Sequence, residues 1–329
     1  MLINQSYNYL DMKRRVVKHG PSTLIISLPV KWVKQHGVAP GHELDVIESG
    51  KSLLVTTEKQ EESGRSIAVD VSNLDRSTII VYVRSLYRRG YSEIKVMFKK
   101  NAVHHFREGK DVNVLSILHE ETNRLIGMEI IEQRENYCII KQISESTEKE
   151  FSSILRKVFF QLEAAFEDLI TGLKKKDLSE IANMQEKHDT IAKFVSYCVR
   201  LLNQGKVEDS ENAPQLYHLL VSVDLMADML KYFSRDVIKN KQSFSPESIK
   251  VLEEILQNVR TYSKMQFKFD MSYMWEFQST RDSVRKSMLS MLAKKQQDLA
   301  YVSYLASILE ILRIMAETTM CCAEPKSER

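Results

Sequence analysis

Asp224 and Asp228 are the residues of this sequence best suited by type and spacing to do chemistry. They stand four apart in VDLMADML, flanked by Leu219, Val223, Leu230 and Phe233, which puts two carboxylates on one face of a helix. Like charges so placed repel by roughly a few tenths of a kcal/mol. A compensating cation is therefore expected, either a metal ion or an arginine or lysine. Glu186 and Asp189, three apart on the preceding helix, form a second pair. If the two helices pack antiparallel, both pairs meet in one oxygen-rich site that suits Mg, Mn, Ca or iron. The competing reading is a set of solvated carboxylates on a polar face. No cofactor is assigned with certainty; the one candidate is a divalent metal or iron at these four acids. No GxSxG, Walker A, GxGxxG after a strand, or HExxH occurs, so no catalytic residue is assigned and the chain reads as a non-enzyme.

A second cluster is basic. The 329 residues carry a formal net charge of only +3. Residues 1–42 hold Lys13, Arg14, Arg15, Lys18, Lys31 and Lys34 against Asp11 alone, a net of +5 that leaves −2 for the rest. Charge so concentrated points to a polyanion partner. Duplex DNA fits better than a single strand, because Trp32 with Tyr7 and Tyr9 is too small a set for a base-stacking platform. The lysines and His19 supply backbone contacts, and Arg14 and Arg15 are the candidates to reach base edges.

The elements that must position these residues follow from the helix breakers. Gly20, Gly37, Gly41, Gly50, Gly64, Gly90, Gly109 and Gly127 precede residue 128, and only Gly172 and Gly205 follow. The first part is expected to be mixed and the second to be long helices. Residues 12–57 read as strand, turn, strand, short helix, strand, turn, strand, with Pro29 opening the helix and Gly37 closing it. That is a thin core, which predicts a partner chain. In 65–145 the spacing predicts helices over Arg76–Arg89 and Val112–Arg124 and a hairpin of Met128–Gln133 with Tyr137–Ile143. His104, His105 and His119 there read as surface histidines, and the segment is left open as a third domain or a strap. From Thr147 the chain reads as helical, with breaks expected near Gly205, Lys241, Asp270 and Lys294. A weak repeat of offset 93 relates Asp177 and Asp189 to Asp270 and Asp282, predicting three-helix units over about 148–241 and 246–320. The methionines, Met271 among them, read mostly as core filler. Cys138, Cys198, Cys321 and Cys322 form no CxxC pair, no apolar run reaches the roughly 20 residues that span a bilayer, and no leader is read at the N-terminus. A cytoplasmic protein is expected.

The run RRVVKHGPSTLIISLPVKWVKQHGVAPGHELDVIESGKSLLVTT resembles AbrB/MazE/SpoVT swapped-hairpin DNA-binding domains, through its basic first strand, the Gly20–Pro29 run ending in Leu-Pro, and the Gly41–Val46 run. This resemblance implies an obligate dimer with interleaved strands. The remainder resembles the archaeal form of the PhoU family, in LIGMEIIE at Leu125–Glu132, DTIAKF at Asp189 and VDLMADML at Val223. It implies paired three-helix bundles, metal held through an (E/D)xxxD motif, and a role in phosphate uptake. Leu225-Met226 departs from the Arg-Ile usual there, and Ile314 stands where the second repeat's second acid belongs, so one metal site is implied rather than two.

The combined expectation is a multi-domain α+β chain. A swapped-hairpin, β-barrel-like head fills 1–60 and serves DNA binding and dimerisation. A mixed connecting segment follows at 65–145, and a PhoU-like pair of three-helix bundles at 147–322. The expected function is a dimeric transcriptional regulator of phosphate uptake whose head binds operator DNA and whose bundle relays a phosphate, metal or partner signal. The alternative is an adaptor that ignores DNA and docks on a phosphate transporter ATPase or a signalling kinase.

Overall fold

The computed structural model describes residues 13–49, 52–57, 64–144, 150–207, 211–293 and 301–322. They fall into two compact units, divided between Ser63 and Gly64.

The first unit carries β1 (Val17–His19), β2 (Thr23–Ile25), α1 (Val30–Gln35), β3 (Asp45–Ser49) and β4 (Ser52–Thr56). β1 pairs antiparallel with β2, and β3 with β4, as two separate two-stranded sheets. The expected barrel is thus not closed within one chain: each hairpin satisfies only its own inner backbone groups. Where exposure is described in this unit, no residue is buried. Val16, Val17, Leu24, Ile25, Ile26, Val30, Val46 and Leu53 are 47–69% exposed.

The second unit opens with β5 (Ser66–Asp70), α2 (Arg76–Arg88), β6 (Glu93–Met97), β7 (Ala102–His105), β8 (Lys110–Asn113), α3 (Val114–Thr122), β9 (Met128–Gln133) and β10 (Tyr137–Gln142). β5 and β6 are parallel across α2, and β10 lies antiparallel between β6 and β9, giving the order β5-β6-β10-β9. Period-two burial places Ile94, Val96, Cys138 and Ile140 inward, joined in one apolar core with Ile79, Ile80, Val83, Leu86 and Tyr87 of α2. Asp75 caps α2 by accepting from the Ser77 N–H. At the other end Tyr91 N–H donates to Leu86 O and Gly90 N–H to Tyr87 O, a Schellman turn. It requires Gly90, whose φ is +89° and whose added Cβ would lie 3.0 Å from Gln204. The β7–β8 hairpin is absent from the sequence reading. It buries His105, which corrects the expectation of a surface histidine, while His104 stays exposed beside Asp111.

The helices follow: α4 (Glu150–Lys175), α5 (Leu178–Ala182), α6 (Met184–Asn203), α7 (Ala213–Asn240), α8 (Pro246–Phe267), α9 (Met271–Ala293) and α10 (Val302–Cys322). α6 packs between α4 and α7, α8 packs on α9 and α4, and α10 packs on α7. The repeat has a local cause at its first aspartates. Asp177 accepts from Ser179 N–H and Asp270 from Ser272 N–H, so the same Asp-x-Ser cap starts α5 and α9. α2 packs across α6, so residues 65–144 belong to one compact body with the bundle rather than forming a loose strap. Among the described residues no helix is long and apolar enough to cross a membrane.

Candidate functional site

The predicted DNA-contacting residues all lie in the first unit. Lys13, Arg14 and Arg15 lead directly into β1, which carries Lys18 and His19; Lys31 and Lys34 sit three apart on α1. All seven are exposed.

The carboxylates lie in the second unit, where α2 and α3 meet α6 and α7. Asp224 on α7 accepts from Arg88 of α2 at 2.9 Å, and Arg88 also donates to Ser196 of α6. Asp189 on α6 accepts from Arg124 at 2.9 Å and from Gln185 at 3.0 Å. Asp228 pairs with Lys231 one turn along α7. His188 bridges the two chains of contacts, with Nδ1 3.0 Å from Asp189 and Nε2 2.9 Å from Asp228. Beside this row, Arg84 donates through Nε and Nη2 to both oxygens of Glu121 at 2.7 and 2.8 Å. Glu121 is only 1% exposed.

The compensating cations foreseen from the Asp224–Asp228 spacing are thus Arg88 and Lys231, and Asp189 has Arg124. The expected metal cluster does not fit this arrangement. Each of Asp224, Asp189 and Asp228 already pairs with a guanidinium or ammonium group, and those positive charges oppose a metal ion at the same oxygens. Glu186 is exposed and takes no part in the network. Among the described residues no three His, Cys, Asp or Glu side chains are grouped to hold a metal. The sequence reading missed Arg84, Arg88, Arg124, His188 and Lys231. Of these, Lys231 three residues after Asp228 and His188 beside Asp189 were visible locally.

The network shifts its own titrations. Burial would raise the Asp228 pKa, but hydrogen bonds from His188 and Lys231 outweigh it and hold the group down at about 2. Asp189 is lowered in the same way: burial opposes, and His188, Gln185 and Arg124 prevail. Burial also opposes charge on His188, yet its bonds to Asp189 and Asp228 raise its pKa. The signs are opposite. Asp228 stabilises the fold above its ordinary 3.8, and that stability is lost as pH falls through about 2; Asp189 acts in the same direction. His188 stabilises below its ordinary 6.5, and that contribution is lost as pH rises past its raised value. The network should be tightest between these limits. A melting curve of the full chain against pH should therefore fall on the acid side, and Asp228→Asn should flatten that limb. The expected size is about 1–2 kcal/mol, after discounting for a carboxylate one third exposed. An acid limb unchanged in Asp228→Asn would remove this assignment.

A further contact fixes the α/β segment to the bundle. Arg200 of α6 is 1% exposed. It donates to Tyr87 O at 2.7 Å, Tyr91 O at 2.9 Å and Gln142 Oε1 at 2.7 Å, and lies over the Tyr87 ring. Two of those acceptors are carbonyls at the C-terminal end of α2, where the helix dipole favours a cation.

No family model matches the chain, and no curated protein matches it. Among solved structures, a putative PhoU-like phosphate regulatory protein from Shewanella oneidensis MR-1 aligns with 51% of this chain and 93% of its own, at 13% identity and a TM-score of 0.28. A likeness that low carries nothing about fold or function.

Proposed function

We propose that the chain is a transcriptional regulator whose first unit binds duplex DNA as a homodimer and whose second unit passes a signal to it. One observation carries the reading: Lys13, Arg14, Arg15, Lys18, His19, Lys31 and Lys34 are all exposed on a unit with no buried residue of its own among those described. A second copy would cover the exposed Val16, Leu24, Ile26 and Leu53. Burying even half of the eight exposed apolar side chains of this unit stabilises by something on the order of 10 kcal/mol before entropy is counted. Cations supplied in duplicate would then face the two half-sites of an operator.

The second unit suits relay better than chemistry. It starts at β5, directly after the head in the chain, and α2 is held to the bundle by Arg88–Asp224, with Arg124–Asp189 and Arg200 alongside. A ligand or partner that disturbs α6 or α7 would therefore be felt by the α/β segment. We take that signal to concern phosphate uptake, a reading supported by the resemblance of the Asp189 and Val223 runs to PhoU motifs.

The test is binding of the purified full chain to a duplex from its own upstream region, followed by fluorescence anisotropy. Each arginine-to-base contact is worth about 1–3 kcal/mol. Arg14→Ala with Arg15→Ala should therefore weaken binding about a hundredfold or more. Unchanged affinity in that variant would end the proposal. A chain that ignores DNA yet retains a transporter ATPase or kinase would favour the adaptor reading.

A further inference from the structure

Helix α9 carries two seams, a buried apolar one and an exposed one that is apolar at its two ends. Phe277, Val284, Met288 and Met291 are buried against the bundle. A second set is exposed: Met271, Trp275, Gln278, Asp282, Arg285, Leu289 and Leu292. Their spacing alternates four and three without a break, the 3.5-residue period of a coiled-coil seam. At 100° per residue this seam points about 120° away from the buried one. Trp275 is 76% exposed, and Met271, Leu289 and Leu292 are 46–62% exposed. Indole and leucine so placed mark an interaction surface rather than scattered surface apolars.

We infer that this seam pairs with the same seam of a second copy, antiparallel. The charge pattern selects that occupant. Its apolar residues lie at the two ends and its charged residues, Asp282 and Arg285, at the centre. In an antiparallel pair with Asp282 facing Arg285 of the second copy, Trp275 faces Leu292 and Gln278 faces Leu289. The twofold axis then repeats each contact, so the seam is complementary to itself. A parallel pair would instead set Asp282 against Asp282 and Arg285 against Arg285. Among the described residues Asp282 pairs only with Arg281, at 3.7 Å, and it stays 67% exposed, open to a second partner. The inference does not rest on DNA binding.

Crosslinking of the full chain tests it. Gln278→Cys with Leu289→Cys places facing thiols across the proposed axis. Cys321→Ser and Cys322→Ser remove the native thiols that are not buried. Within one chain the two new thiols are about 16 Å apart along the helix, beyond the reach of a short bismaleimide. The expected main product is a covalent dimer. Adding Asp282→Arg should cut its yield about tenfold, since two attractive pairs become repulsive. Adding Arg285→Asp as well should restore it, because the swapped charges match again. Arg14→Ala with Arg15→Ala should leave the yield unchanged. Circular dichroism and melting temperature confirm that each variant is folded. No dimer from the starting variant, or a yield indifferent to Asp282→Arg, or no rescue by the double reversal, would overturn the inference.

Discussion

Replacing Arg84 by alanine should destabilise the second unit by about 3–5 kcal/mol, the largest single effect expected in this chain. Arg84 is the fork-shaped partner of Glu121, which is 1% exposed and whose two oxygens both accept from it. Burial disfavours charge on Arg84, but Glu121 outweighs it and raises its pKa. Without Arg84, the Glu121 carboxylate is left in a dry site with neither of its oxygens paired to a cation. In a unit of this size the melting temperature should drop by about 10 °C. Removing both partners, as Arg84→Met with Glu121→Leu, should recover most of the loss, since the pair's own desolvation disappears with it. A double variant as unstable as Arg84→Ala would show instead that Arg84 acts through packing.

Arg200→Ala comes next, at about 3 kcal/mol. Among the described residues Arg200 has no carboxylate partner, and burial lowers its pKa. What keeps it there is three acceptors, Tyr87 O, Tyr91 O and Gln142 Oε1, with the Tyr87 ring beneath. Each charge-assisted bond is worth about 1.5–3 kcal/mol, partly offset by the relief of burying a cation. Arg200→Lys should not rescue it, because one ammonium cannot span acceptors on α2 and β10 as the planar fork does. Hydrogen exchange should show α2 opening more readily than α4. Equal protection of α2 in the variant and the native chain would contradict the role given to Arg200.

How much of this was legible beforehand varies by element, for physical reasons. Hairpins β1–β2 and β3–β4 could be read because turn chemistry is local: Gly20-Pro21 stands at the tip of the first, and the Ser49-Gly50 dipeptide in the sequence announces the end of β3 at Ser49. The starts of α8 and α9 follow from Ser245-Pro246 and Asp270 for the same reason. The pairing of Asp224 with Arg88 spans 136 residues and that of Asp189 with Arg124 spans 65, so no window contains both partners. Local spacing showed that Asp224 and Asp228 needed a cation, a metal ion or an arginine or lysine, but not which; Arg88 and Lys231 stand in those places in the arrangement found. The β7–β8 hairpin was missed because AVHH and KDVN have no strong period-two contrast, and His105 looked polar although the fold buries it. Asn183 splits the expected second helix into α5 and α6, with no glycine or proline to announce the break.

The salt dependence of DNA binding tests the central claim most directly. A dimer presenting Lys13, Lys18, Lys31 and Lys34 twice should neutralise about six to eight phosphates. The logarithm of its binding constant should then fall with log salt at a slope of about −5 to −7, costing roughly a thousandfold in affinity between about 50 and 200 mM. Substituting Lys31 and Lys34 by alanine should make that slope shallower by about 3–4, since four phosphate contacts are lost. No binding at about 50 mM salt, or a slope near zero, would contradict the account.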